Sequence, residues 1–311
     1  MTRQTVQIHD AAATARVTPY PALVAALRTA TADYAAGRIV SPERLVVPLN
    51  DGGILLSMPA TAPDLAIHKL VNVCPRNGER DLPTIHGQVM AFDADTGETR
   101  FILDGPTVTG RRTAAMSMLG IETLSQSAPR DVLLIGTGTQ AANHAAALAE
   151  LYPDARLRVS SRTLARAQAF CDAHRAQAPN LEPLAGDGNG EVTPESIDLV
   201  IALTTSRAAV YDEAPRAGRL VIGVGAFTPE MIELGARTVL GSALFVDDLA
   251  GARHEAGDFL QAGIDWNTVT GISDATKQPA DRPVVFKSVG CAAWDLAACR
   301  VAHATLSAGG A

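Results

Sequence analysis

This sequence predicts an α/β protein built on a doubly wound parallel sheet, and three observations carry the prediction. The apolar run 132–135 stops at Gly136-Thr137-Gly138-Thr139-Gln140 and opens at once into the Ala-rich stretch 141–149. Further short apolar runs alternate with helical patterns to about residue 246, which implies right-handed crossovers between parallel strands. The composition agrees: 47% apolar and 19% charged over 311 residues suits strands buried under helices. At this length two lobes are expected.

The first lobe opens with a helix over 20–37, starting near Pro21 and closed by Gly37. Strands follow at 45–48, 54–58, 66–72, 88–93 and 99–104. They are separated by the turn signals Asn50-Asp51-Gly52-Gly53, Pro75-Arg76-Asn77-Gly78 and Asp95-Thr96-Gly97, the last reading as a hairpin. A linking helix is expected over 110–124. The second lobe then places strands at 132–135, 157–160, 197–203, 219–224 and 244–246, with a loop at Asp187-Gly188-Asn189-Gly190. A final helix over 291–305 is expected to return to the first lobe. The expected division is 1–118 with 291–311 for an α+β substrate and dimerisation domain, and 119–290 for a nucleotide-binding domain.

The glycine turn carries the first chemistry. A strand, G-x-G-x-x-A and a helix start form a dinucleotide-binding unit: Gly136 makes the turn, and Gly138 lets backbone approach a pyrophosphate at the helix N-terminus, beside Thr139 and Gln140. The next strand ends in Ser160-Ser161-Arg162-Thr163, where an NAD site carries an acidic residue for the ribose 2′-OH. A guanidinium and hydroxyls bind a 2′-phosphate instead, so NADP(H) is expected in preference to NAD(H). Strand 197–203 ends in Thr204-Thr205, hydroxyls at a strand C-terminus where ligands gather.

Composition also excludes classes of function. A net charge of −7 without a basic stripe argues against nucleic acid. No apolar run approaches the about 20 residues that span a bilayer, and the N-terminus lacks the apolar core of a signal peptide. Cys74, Cys171, Cys291 and Cys299 show no C-x-x-C spacing, so no metal site is expected. The expectation is a cytoplasmic protein with reduced thiols.

A further set of segments is distinctive: Lys69-Leu70-Val71-Asn72, Leu82-Pro83-Thr84 and Arg112-Thr113-Ala114-Ala115 ahead of the glycine turn. With Ser57-Met58-Pro59-Ala60, Val224-Gly225-Ala226 and Pro229, Glu255-Ala256-Gly257-Asp258 and Phe286-Lys287-Ser288-Val289-Gly290, the chain resembles the ornithine cyclodeaminase/mu-crystallin family. The likeness runs from about Tyr20 to Ala304. It implies a Rossmann domain inserted into a substrate domain that dimerises through its β-sheet. It further implies that Arg44 and Arg112 clamp a substrate α-carboxylate, a task suited to the planar guanidinium, with Thr84 adding a hydroxyl. Lys69 handles the proton of the imine or amine nitrogen, and its apolar flanks, Leu65, Ala66, Ile67, Leu70 and Val71, favour burial over a surface role. Thr204, Val224 and Ser288 join the cofactor contacts. Arg111 is read as a helix residue facing water; His86 and Cys74 are left out of the site.

Departures from the cyclodeaminase pattern indicate the reaction. That pattern places a Glu before Met-Pro and an Asp before the proline of the Val-Gly segment, where this chain has Leu56 and Phe227. Neither carries charge, and both favour an apolar ring. The resemblance therefore implies an NADPH-dependent reductase of cyclic ketimine carboxylates, turning Δ1-pyrroline-2-carboxylate and Δ1-piperideine-2-carboxylate into L-proline and L-pipecolate. The alternatives are an ornithine cyclodeaminase or amino-acid dehydrogenase of the same family, and a non-catalytic, crystallin-like NADPH-binding protein. The expected partners are a small cyclic imine or amino acid and a second copy of the chain.

Overall fold

The computed structural model describes residues 6–184 and 193–308; the loop expected at 187–190 lies outside them. The chain forms two compact units, residues 1–112 with 291–311 and residues 113–290. No helix among the described residues is long and apolar enough to cross a membrane.

The first unit runs β1 (Gln7–Ile8), α1 (Ala11–Val17), α2 (Tyr20–Ala35), β2 (Leu45–Pro48), β3 (Ile54–Thr61), β4 (Leu65–Val73), β5 (Ile85–Asp93) and β6 (Thr99–Asp104). The sheet order is β1-β6-β5-β4-β3-β2, antiparallel apart from the β1–β6 pair. β4 alternates strictly: Leu65, Ile67, Lys69 and Val71 are buried, and the residues between them are half-buried. Period-two alternation puts those four on one face. Two-residue β1 is too short to leave a periodic signal, and it was not expected.

The linking helix, α3 (Gly105–Leu124), begins five residues before the expected 110. Asp104 is the reason, since its carboxylate accepts from the Thr107 backbone N–H at 2.8 Å and from the Thr107 hydroxyl. Pro106 falls in the first turn, where a missing N–H costs nothing. The division between units falls at Arg112/Thr113 within α3, six residues before the expected 118.

The second unit continues β7 (Asp131–Ile135), α4 (Thr139–Leu151), β8 (Arg156–Ser160), α5 (Leu164–His174), β9 (Leu181–Pro183), β10 (Leu199–Ala202), β11 (Leu220–Gly223), α6 (Ala236–Leu240), β12 (Ala243–Val246), α7 (Leu249–Glu255), α8 (Gly257–Ala262), β13 (Thr270–Gly271) and β14 (Val284–Lys287). Its sheet order is β13-β12-β14-β11-β10-β7-β8-β9, every pair parallel. Counted from β7, five strands stand in the order 3-2-1-4-5, the Rossmann arrangement, with the switch point between β7 and β10. Every residue of β7, β10, β11, β12 and β14 is buried, as a parallel sheet covered on both faces requires. β14 was not expected as a strand, because Lys287 interrupts its apolar run. α9 (Ala292–Ala308) returns to the first unit and packs on β3, β4 and α2. Trp294 stands edge-on to Tyr34 there, with ring centroids 5.6 Å apart.

Candidate active site

In the first unit one cluster gathers on the α9-covered face of the sheet. Lys69 pairs in register with Met58 and Val89, so apolar neighbours flank it along the sheet. Its side chain is only 3% exposed, and Nζ donates to both carboxylate oxygens of Asp295 on α9, at 3.2 and 3.1 Å. Arg112 on α3 donates from Nε to Asp295 Oδ1 at 3.2 Å. The terminal nitrogens of that guanidinium make no hydrogen bond among the described residues. Burial drives the Lys69 ammonium down to about 8, against the opposing charge of Asp295; Arg112 and Arg44 push it the same way as burial. A buried lysine poised near neutrality, beside a guanidinium with free donors, can anchor an anion and move a proton.

The expected residues of this unit fall out differently. Arg44, half-buried just before β2, lies close enough to act on the Lys69 charge. Thr84 is exposed ahead of β5, five residues from Val89, or about 16 Å of extended chain. Its carbonyl accepts from Cys74 N at 2.8 Å. Arg111 does not simply face water: Nε donates to the Thr18 carbonyl at 2.8 Å, and the guanidinium stacks 3.9 Å over the Tyr20 ring. Leu56 is buried on the same face as Met58, two residues along β3. Asp295 was missed. Its signal was an acidic residue inside an otherwise apolar stretch, Cys291 to Cys299.

The second unit builds a cradle at the C-terminal ends of its strands. Gly136 ends β7 with φ +127°, and a Cβ there would stand 2.7 Å from the Leu203 carbonyl oxygen at the end of β10. Gly138 is the N-cap of α4, and nothing lies within 4 Å of where its Cβ would be. Backbone N–H groups of the first turn, with Thr139 and Gln140, thus stand open to an anion. Gln140 Oε1 is buried without a hydrogen-bond partner, a polar atom that suits a ligand donor. These features fit a dinucleotide pyrophosphate. At the end of β8, the Ser160 carbonyl accepts from Gly136 N at 2.9 Å. The Ser161 hydroxyl donates to Thr163 O at 2.8 Å, and the Thr163 hydroxyl caps α5 by accepting from Arg166 N at 3.3 Å. Arg162 is exposed.

Thr204 and Val224 are tied to a residue the sequence did not single out. Glu233, wholly buried, accepts from the Thr204 N–H and hydroxyl with one oxygen and from Val224, Gly225 and Ala226 N–H with the other. Burial pushes its carboxyl up, and Lys287, with Nζ 4.0 Å away, opposes this. Lys287 pairs at 2.7 Å with Asp258, which in turn accepts from Glu233 and Leu234 N–H. Gly225 is required here because a Cβ would lie 1.9 Å from the Thr204 carbonyl oxygen. The Ser288 hydroxyl donates to Asp247 at 2.8 Å, so it is engaged within the protein.

The profile of the ornithine cyclodeaminase/mu-crystallin family matches residues 5–310. A Delta(1)-pyrroline-2-carboxylate/Delta(1)-piperideine-2-carboxylate reductase of Azospirillum brasilense is 62% identical over 305 residues, 97% of each chain. Among solved structures, the Thermococcus litoralis Delta(1)-pyrroline-2-carboxylate reductase in complex with NADH and L-proline shares the fold. Its TM-score is 0.87 at 21% identity, over 98% of each chain. An archaeal alanine dehydrogenase dimer with bound NAD gives 0.85 at 21% identity, over 98% of this chain and 97% of that one.

Proposed function

We propose that this chain, which belongs to the ornithine cyclodeaminase/mu-crystallin family, is an NADPH-dependent reductase of cyclic ketimine carboxylates. Its substrates are Δ1-pyrroline-2-carboxylate and Δ1-piperideine-2-carboxylate, and its products L-proline and L-pipecolate. The observation that carries the reading is the buried Lys69–Asp295–Arg112 cluster, which offers an anion anchor and a proton donor side by side. The 62% identity to the Azospirillum brasilense enzyme supports the same substrates.

A cyclic imine accepts hydride at C2 only weakly until its nitrogen is protonated. Lys69, titrating at about 8, is mostly an ammonium at pH 7 and holds that proton ready. The free nitrogens of Arg112 take the substrate carboxylate in a bidentate grip, with Arg44 adding a second cation. Bound NADPH supplies the hydride. Lys69 then regains a proton from solvent, so one proton and one hydride enter the substrate for each turnover. Thr84 remains an assignment by resemblance.

The second unit is the nucleotide-binding domain, with Gly136, Gly138, Thr139, Gln140, Ser160, Ser161, Arg162, Thr163, Thr204, Val224 and Ser288 as its cofactor residues. NADPH is preferred over NADH because β8 ends at Ser160 and runs on into Ser161 and Arg162, with no carboxylate among them. The first unit binds the substrate and forms a homodimer. Edge strand β2 exposes Leu45, Val46 and Val47, an apolar edge of the kind that needs a cover. The enzyme is placed in the cytoplasm, a reducing compartment that suits its free cysteines.

The test is a panel of the two cyclic imines, ornithine, lysine and alanine, each with both nicotinamide cofactors. NADPH oxidation with the imines is expected. Ammonia release from ornithine without imine reduction overturns the reading in favour of a cyclodeaminase. Nucleotide binding with no turnover leaves the crystallin-like alternative.

A further inference from the structure

Lys69 and Arg112 share one carboxylate, and the charge of Arg44 also acts on the lysine. Arg112 reaches in from α3, Arg44 from the segment before β2, and Asp295 and Cys299 from α9; Met58 and Val89 flank the lysine within the sheet. Burial pushes the Cys299 thiol far up, so it stays neutral. Asp295 is therefore the one anion among the described groups that face Lys69. A lysine buried beside a guanidinium group, with no counter-charge, loses its proton at neutral pH. Asp295 opposes that loss, and its geometry does more than supply charge. It spends two of the ammonium donors and only the Nε donor of Arg112, which turns the remaining donors of both residues toward a third partner.

We propose that Asp295 is a positioning residue for the reaction: it keeps Lys69 an ammonium beside the Arg112 guanidinium and holds Lys69 and Arg112 in register for one carboxylate-bearing substrate. This rests on the reductase reading given above. Asp295 sets the pH above which imine reduction fails, because above it Lys69 no longer carries the proton the ring nitrogen needs.

The experiment compares Asp295→Asn and Asp295→Glu with the wild type, reading kcat/KM for Δ1-piperideine-2-carboxylate against pH. The wild-type alkaline limb is expected near pH 8. In Asp295→Asn it moves down by about one to three pH units, the usual effect of losing an opposite charge at this range. Asp295→Glu keeps the limb near the wild-type position even where its rate falls. NADPH affinity stays within about twofold in both variants. A merely structural residue would lower the rate at every pH and leave the limb in place, so an active Asp295→Asn with an unmoved limb overturns the proposal.

A variant that folds without turnover is read by ¹⁵N NMR of the Lys69 side chain. An amine at pH 7 supports the proposal, and an ammonium overturns it. Where Asp295→Asn does not fold, the same titration of the wild type decides. An ammonium at pH 7 that titrates near 8 supports the proposal, and an amine overturns it. A wild type that reduces no cyclic imine refutes the reductase reading instead, and the NMR titration still judges Asp295.

Discussion

Replacing Glu233 with Ala should both destabilise the second unit and weaken NADPH binding. The side chain is completely buried and takes five donors: the N–H and hydroxyl of Thr204 and the N–H groups of Val224, Gly225 and Ala226. A hydrogen bond to a charged group contributes about 1.5–3 kcal/mol net, and a buried donor left unsatisfied costs a similar amount. Such losses are not additive, since water entering the cavity would satisfy some donors. Counting only two of the five at about 2 kcal/mol each gives about 4 kcal/mol. The unit spans residues 113–290, a size at which 1 kcal/mol moves Tm by about 2–4 °C. A fall of about 10 °C is therefore expected. The donors lie at the C-terminal ends of β10 and β11, where open α/β sheets bind their ligands. If about 1.4 kcal/mol of the loss reaches that region, NADPH affinity falls tenfold. Glu233→Gln keeps one oxygen but turns an NH2 toward N–H donors, so its effects should be intermediate. The assays are thermal melting and fluorescence titration of NADPH. A Glu233→Ala protein that melts within 2 °C of wild type with unchanged NADPH affinity would refute the reasoning.

Four further outcomes are expected. Arg162→Ala should weaken NADPH by about 10–100-fold, the value of one charge-assisted bond, and leave NADH nearly unchanged; equal losses in a cofactor titration remove Arg162 from the 2′-phosphate. Lys69→Met should lower kcat for imine reduction by about 10²–10⁴-fold while NADPH still binds, and a near wild-type rate at every pH would exclude proton transfer by Lys69. Ornithine with NAD should release little ammonia, because buried Leu56 offers its distal ammonium no counter-charge and an unpaired buried cation costs several kcal/mol; rapid release would show that another acid serves. Finally, buried His144, bonded to Ser117 Oγ and the Gln140 carbonyl, is pushed down by burial from 6.5 to about 4. The unfolded chain takes up that proton first as pH falls, so about 3 kcal/mol of stability should be lost between pH 6.5 and 4. Denaturant melts of His144→Asn should show a flatter dependence across that window, and an unchanged slope would sink the assignment.

Much of the architecture was written locally. The glycine turn at Gly136, the apolar runs of β7, β10 and β11, and the Asp95-Thr96-Gly97 hairpin each depend on residues a few positions apart, so sequence patterns expose them. Lys69 was legible for a related reason, since its alternating apolar neighbours bury one face of β4. Signals failed where a charged residue sat within an apolar run. Lys287 masked β14, and Asp295 passed as part of an ordinary helix. The start of α3 was missed because Gly105-Pro106 looks like a helix breaker until Asp104 is seen capping Thr107.

Local patterns along the chain thus specify the parallel sheet, the glycine turn and a buried lysine. What balances the buried charges depends on contacts between segments far apart in the chain. Lys69 meets Asp295 across 226 residues, and Lys287 at the end of β14 meets Asp258 on α8 and Glu233 ahead of α6. A buried ion needs a counter-ion in space and leaves no rule about where along the chain it lies. Helix and strand periodicities reach only a few residues. The pairing of Lys69 with Asp295 becomes visible only when α9 is laid across β4.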